Sequence, residues 1–157
     1  MARANPQWRQ FHGDTEVLTI FQGPHAYISP SWYVSDVAVP TWNYTAVHVY
    51  GIPRVVSDHE KIVSLLEETV RFYEASFERP WPGTLPDELR DQLIDSIVAF
   101  EIDVTRIEGK FKLGQNRSAE DVAGVYRALA ASQNAQHREL AAVMSQAGVV
   151  STPTDGA

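Results

Sequence analysis

The chain has 157 residues, a formal net charge of -7 and a hydrophobic fraction of 44%. This length fits one domain, and the acidic balance opposes non-specific attraction to nucleic acid. No run approaches the roughly 18 apolar residues that cross a bilayer, and no export signal opens the chain. With no cysteine, disulfides, thiolate metal ligands and a cysteine nucleophile are excluded. We therefore expect a cytoplasmic protein that does not contact the membrane.

The first third of the chain has the patterns of strands. Val17–Phe21 is apolar and β-branched and precedes Gly23-Pro24, which predicts a buried strand that ends in a turn. A second strand is predicted over Ala26–Ser29. Residues Val37–Tyr50 resume a strand pattern, and the segment from Gly51 to Pro53 is expected to bend or end it.

Two helices are predicted next. Ser57–Glu60 has the form of a capping box, with Ser57 as the N-cap, and the apolar spacing after it predicts an amphipathic helix to about Phe77. Pro86 stands where the start of a helix tolerates proline, and a second, shorter helix follows it.

The remaining chain is predicted as one strand and two helices. Phe100–Ile107 alternates with period two, which directs Phe100, Ile102 and Val104 toward the core, and Glu108-Gly109 is expected to break the strand. Ser118–Asp121 can cap a helix that runs to about Ala131. The alanine-rich segment 136–146 favours a terminal helical arm.

Aromatic, hydroxyl and proline residues are concentrated in Phe21–Tyr33 and Pro40–Tyr44. Tyr and Trp rings supply a large apolar surface together with one polar group, and prolines restrict the backbone. Ser, Thr and Asn supply neutral hydrogen-bonding groups. This inventory suits a pocket for a flat, polar, aromatic ligand. A hairpin with an aromatic surface loop is the alternative.

Other chemistries have little support in the sequence. The five histidines are far apart and form no HxH or HExxH pair, so no metal site is predicted. There is no GxSxG, GxGxxG or GxxxxGK[ST] motif. Glu101 and Asp103 lie on the same face of the predicted strand, as acidic residues do on the solvent-exposed side of a half-buried strand. We assign no catalytic residue.

Five ordered blocks resemble the PaiB-type, FMN-binding negative transcriptional regulators. They are Ala2-Arg-Ala-Asn-Pro-Gln-Trp8, Phe21–Tyr33, Val39-Pro-Thr-Trp-Asn-Tyr44, Val47-His-Val-Tyr-Gly51, and Phe100-Glu-Ile followed by Lys112-Leu-Gly-Gln-Asn-Arg117. The resemblance implies an α+β fold, a split β-barrel of the flavin-reductase kind with flanking helices. It also implies a homodimer with FMN at the subunit interface. Family members carry the first barrel strands ahead of the Ala-Arg-Ala-Asn-Pro block, so we expect those strands to be missing here.

The resemblance also implies a domain plan and a set of ligand contacts. Residues 1–125 would form the partial FMN-binding domain, 126–150 a helical arm and 151–157 a disordered tail. The flavin contacts implied are Ser29, Ser31, Trp32, Thr41, Trp42 and Asn43, with Lys112 and Gln115 approaching from the facing subunit. In the segment 109–116, Phe111 and Gly114 stand where the family usually has Trp and Ser.

Three functions remain open from the sequence. The first is an FMN-binding regulator of transcription that acts indirectly or associates weakly with DNA, since the charge is acidic and no helix-turn-helix pattern is present. The second is an FMN-dependent oxidoreductase acting on a small substrate. The third is a dimeric remnant that binds no cofactor.

Overall fold

A computed structural model describes residues 1–150 as an α+β fold. The predicted disordered tail, 151–157, lies outside the described residues. One antiparallel sheet has the strand order β1-β2-β3. The elements are β1 (Val17–Ile28), β2 (Thr41–Val56), α1 (His59–Glu74), α2 (Asp87–Asp95), β3 (Ala99–Lys112), α3 (Ala119–Ala130) and α4 (Ala135–Gln146), with short 3-10 helices at Pro6–Gln10 and Pro30–Trp32. No helix within residues 1–150 is long and apolar enough to span a membrane.

The chain divides into two compact units. The first unit contains Met1–Leu18 and Tyr50–Arg106, and the second contains Thr19–Val49 and Ile107–Ala157. Each of the three strands contributes residues to both units.

The second unit has a continuous apolar core, formed where α3 and α4 cover the end of the sheet. Its buried members are Ala26, Ile28, Leu113, Val122, Val125, Leu129, Leu140, Ala141 and Met144. The helices bury apolar side chains that recur at helical spacing, and β1 contributes alternate residues, as the two periodicities require. The two C-terminal helices predicted from the sequence are confirmed.

The first unit buries far less. Its buried hydrophobic side chains are Ile62, Ile94 and Val98, and Gly51 and Pro53 of β2 are buried as well. The N-terminal segment is held by backbone pairing, because the Met1 ammonium donates to the Val98 carbonyl at 2.9 Å and the Arg3 amide donates to the Ser96 carbonyl at 2.8 Å. Helices α1 and α2 and the linker between them line an open groove.

All three strands run through positions where the sequence predicted a break. At Gly23 an added Cβ would overlap the Thr45 hydroxyl, and at Gly51 it would overlap the Asp103 carbonyl. These glycines therefore permit close approach to the neighbouring strand and do not form turns. The predicted break at Glu108-Gly109 is also wrong, since β3 continues to Lys112.

The helix starts are mostly as predicted. Ser118 caps α3 by accepting from the Asp121 amide, and Pro86 precedes α2. At α1 the cap is Asp58, which accepts from Lys61 N, so the assignment of the cap to Ser57 is wrong.

One prediction about the face of β3 is also wrong. Val104 was predicted to face the core, but its side chain is 54% exposed.

Candidate functional site

The predicted ligand residues lie at one end of the sheet. Because the strands are antiparallel, the end of β1 at Ile28, the start of β2 at Thr41 and the end of β3 at Lys112 are neighbours. The predicted residues occupy these positions or follow them directly, and all belong to the second unit: Ser29, Ser31, Trp32, Thr41, Trp42, Asn43, Lys112 and Gln115.

The Ser29–Trp32 turn leaves β1 as a single 3-10 turn. Ser29 is its N-cap, with the Ser29 hydroxyl accepting from the Ser31 amide at 3.2 Å. The two hydroxyls are 2.7 Å apart, and Pro30 fixes the backbone between them. The turn therefore presents two adjacent hydroxyl groups in a defined arrangement.

A corner between β2 and β3 is organised by Lys112. The Lys112 ammonium donates to the Thr41 hydroxyl and, at 2.8 Å, to the Trp42 carbonyl of its own chain. An ammonium group has three donors, and these two bonds use two of them. Lys112 is exposed, so the third can reach an anion that approaches the corner.

Exposed aromatic rings lie beside this corner. Trp42 is 53% exposed. Its ring stands edge-on to Tyr27 at a centroid distance of 6.2 Å, and 6.0 Å from the His25 ring. A planar ligand could stack on such a surface.

Three of the predicted residues are engaged in the protein itself. Asn43 is buried, and as the neighbour of Trp42 in a strand it points to the opposite, helix-covered face. Trp32 packs partly against the core. The Gln115 side chain accepts from Leu113 N at 2.8 Å and donates to the Phe111 carbonyl at 2.7 Å, which closes the turn after β3. Their contacts with a ligand remain predictions.

The sequence did not predict that Asp121 of α3 binds the residues that follow the Ser29–Trp32 turn. The Asp121 carboxylate, in the first turn of α3, accepts from Val34 N, Ser35 N and the Ser35 hydroxyl at 2.8, 3.0 and 2.7 Å. The Ser35 hydroxyl bond is the main cause that lowers the pKa of Asp121; the backbone bonds and Arg117 add to it, while burial opposes it. The only sequence signal was the capping pattern Ser118–Asp121, which does not reveal burial.

The arrangement suits a ligand with an anionic group and a flat ring. A cation and hydroxyls bind phosphate, and exposed aromatic rings bind a heterocycle. Among residues 1–150, no group of three His, Asp or Glu side chains is placed to hold a metal ion.

Sequence comparison identifies the family. Residues 1–106 match the model of the family described as "Putative FMN-binding domain". The chain belongs to this FMN-binding family. The predicted PaiB-type membership is confirmed by the "Protease synthase and sporulation protein PAI 2" of Bacillus subtilis, which is 40% identical over 147 residues, 91% of this chain and 69% of that protein. The chain is accordingly a PaiB-like member of the FMN-binding family.

Fungal proteins are also similar. An uncharacterized protein of Emericella nidulans is 31% identical over 80% of this chain, and one of Aspergillus fumigatus is 34% identical over 70%. The chain spans 62% and 50% of their respective lengths. The family match ends at residue 106, so Lys112, Gln115 and Asp121 lie beyond it.

Proposed function

We propose that this chain binds FMN at the end of the sheet, with Lys112 and Thr41 at the phosphate and Trp42 against the flavin ring. The observation that carries the proposal is the Lys112 corner, where an exposed ammonium donates to the Thr41 hydroxyl and to the backbone carbonyl of Trp42, a residue whose indole is exposed. These groups fit FMN, because a phosphate accepts charge-assisted hydrogen bonds from an ammonium group and a flavin ring stacks on an aromatic side chain.

The residues of the turn complete the proposed site. Ser29 and Ser31 supply hydroxyls to the polar parts of the ligand, and Pro30 keeps them in place. The two hydrogen bonds of the Gln115 side chain hold the segment that follows Lys112 at the end of β3. FMN, when bound, would supply a ring that accepts and donates electrons.

Lys112→Ala tests the phosphate assignment. Loss of a charge-assisted bond worth about 1.5 to 3 kcal/mol should weaken FMN binding roughly tenfold to a hundredfold. Riboflavin, which lacks the phosphate, should bind the variant and the parent equally, and Lys110→Ala is the matched control on the same strand. Quenching of flavin fluorescence measures both ligands.

Two results would contradict the proposal at different points. Equal weakening of FMN and riboflavin by Lys112→Ala would move the lysine away from the phosphate. A parent chain that quenches neither flavin would overturn FMN binding by this chain altogether. Oxidation of NAD(P)H in the presence of FMN would favour the oxidoreductase alternative.

We further propose that the sheet is part of a split barrel and that the chain is a homodimer. The three-stranded antiparallel sheet and the family match support the barrel. Both β1 and β3 are edge strands in the described sheet, and Ile20, Phe21 and Ile107 expose more than half of their surface. Sedimentation should give twice the chain mass at micromolar concentration, and a folded monomer would contradict the dimer.

The barrel proposal includes strands supplied from outside this sequence. Such strands would add to the sheet that bears the site, so a form extended at its N-terminus should bind FMN more tightly than the 157-residue form. Unchanged affinity on extension would show that the added strands do not complete the pocket.

The regulatory role is proposed to be indirect and exerted in the cytoplasm. A net charge of -7 opposes the phosphate contacts on which DNA affinity depends. Mobility-shift assays at physiological salt should therefore show no specific complex with promoter DNA, even where loss of the gene changes transcription. A sequence-specific complex would overturn the indirect role.

A further inference from the structure

The segment Trp32–Ser35 is held against α3 along its whole length. Each of its residues contacts a side chain or backbone atom between positions 117 and 124. Both partners lie in the second unit. The match to the family model ends at residue 106, so Arg117, Asp121 and Gly124 lie beyond the segment that this model covers.

The first contact that holds the segment 32–35 against α3 is made by the Asp121 carboxylate. It is 2% exposed and accepts three hydrogen bonds from Val34 and Ser35. A buried carboxylate is tolerated only when such bonds replace its hydration, so the position of the segment and the burial of Asp121 depend on each other. The lowered pKa of Asp121, caused first by the Ser35 hydroxyl, agrees with a carboxylate that accepts these bonds.

The second contact is the close packing of Gly124 against the Trp32 carbonyl. Gly124, one turn further along α3, faces the Trp32 carbonyl so closely that an added Cβ would overlap that oxygen. Alanine is normally about 1 kcal/mol better than glycine inside a helix, so glycine here favours the close approach over helix stability. Arg117 also lies over the Tyr33 ring, 4.6 Å from its centroid.

We infer that α3 is a positioning element for the FMN site, and that Asp121 and Gly124 fix where the Ser29 and Ser31 hydroxyls stand. The inference rests on the proposed function. Neither residue would touch the ligand, because Asp121 is buried and is used by the backbone behind the turn. Their effect passes through Trp32 to the serine turn, whose backbone bonds join Trp32 N to the Ser29 carbonyl at 3.2 Å.

The experiment compares four variants with the parent chain. Gly124→Ala should push the Trp32 carbonyl away, and Asp121→Ala should release Val34 and Ser35. Asp121→Asn keeps an acceptor and should restore most of the parent behaviour, while Glu120→Gln removes a neighbouring exposed carboxylate as the matched control. FMN affinity is measured by flavin quenching, stability by urea unfolding, and the turn by amide exchange at residues 32–35.

The expected result is a loss of FMN affinity of at least about fivefold in Gly124→Ala and Asp121→Ala. Amide exchange should be faster at residues 32–35, and Glu120→Gln should leave both readouts unchanged. Should Asp121→Ala fail to fold, Gly124→Ala still decides, because alanine does not weaken the helix itself.

The outcomes separate this inference from the proposed function. Parent-like FMN affinity in a folded Gly124→Ala variant whose amides exchange faster would overturn positioning by α3 and leave FMN binding intact. Unchanged amide exchange in that variant would show that Gly124 does not hold the turn. If the parent binds no FMN, the proposed function and the functional part of this inference are both wrong. Amide exchange at residues 32–35 would still show whether α3 holds the turn in place.

Discussion

The two compact units differ sharply in how much apolar surface each buries. The second unit contains a cluster of nine buried apolar residues, centred on α3, α4 and the end of the sheet. The first unit buries Ile62, Ile94 and Val98, while Phe72, Tyr73 and Phe77 are each more than 60% exposed. Burial of apolar area is the main stabilising contribution in a small domain, so the second unit has its own source of stability.

The difference shows where a ligand site can be precise. A site keeps its geometry when its side chains are fixed by packing and by supporting hydrogen bonds. The Ser29–Trp32 turn, the Lys112 corner and Asp121 all belong to the well-packed second unit. The groove along α1 and α2 is lined by apolar and charged side chains, most of which are exposed.

The largest expected effect contrasts one leucine in each unit. Leu129 on α3 is fully buried, whereas Leu65 on α1 is 49% exposed. Leu129→Ala should lower the free energy of unfolding by about 2 to 5 kcal/mol, the range for leucine truncation in a core. Leu65→Ala should cost less than about 1 kcal/mol. Urea unfolding of both variants measures the difference. Equal costs would mean that α1 is covered in solution, as a second copy of the chain would do.

The next effect contrasts two tryptophans of similar exposure. Trp42 in the second unit is 53% exposed and Trp81 in the first unit is 45% exposed. A stacked ring contributes roughly 0.5 to 1.5 kcal/mol beyond its area, so Trp42→Ala should weaken FMN binding several-fold and Trp81→Ala should not. Flavin quenching compares the two. A larger effect from Trp81 would move the ligand to the groove of the first unit.

Local features of this fold could be predicted from the sequence, and features set by strand pairing could not. The cap at Ser118 and the helix start at Pro86 depend on neighbours within a few residues, and both are confirmed. Gly23 was predicted to lie in a turn and Gly51 to bend or end its strand. Both instead allow a neighbouring strand to come close, at Thr45 and at the Asp103 backbone, and only strand pairing brings these partners near.

The same division applies to the candidate site. The residues of the aromatic and hydroxyl blocks that were predicted to bind the ligand come together at one end of the sheet. The sequence could not show that Asn43 points into the core, or that Asp121 binds a segment 87 positions away. These facts depend on how α3 packs, which no local pattern specifies.

A smaller effect, confined to acid pH, concerns Asp121. Its pKa is lowered in the folded chain, first by the Ser35 hydroxyl, so its contribution to stability is complete above the ordinary carboxyl pKa of about 3.9. The contribution is lost as the pH falls through the folded-state pKa. The stability difference between the parent and Asp121→Asn should therefore be constant from pH 7 to 5 and shrink below pH 4. A difference that grows on acidification, against Glu120→Gln as control, would contradict the assignment.

The smallest effect compares helix caps in the two units. Asp58 caps α1 of the first unit through Lys61 N, and Asn134 caps α4 of the second through Gln136 N. Replacing either cap by alanine should cost about 1 kcal/mol of helix stability. Because α4 buries Leu140, Ala141 and Met144, Asn134→Ala should lower the unfolding free energy of the whole second unit. Helix α1 buries only Ile62 among its residues, so Asp58→Ala should instead speed amide exchange in its first turn with little change in the unfolding midpoint. If Asp58→Ala shifts the midpoint as much as Asn134→Ala does, α1 is coupled to the fold more tightly than its exposed surface indicates.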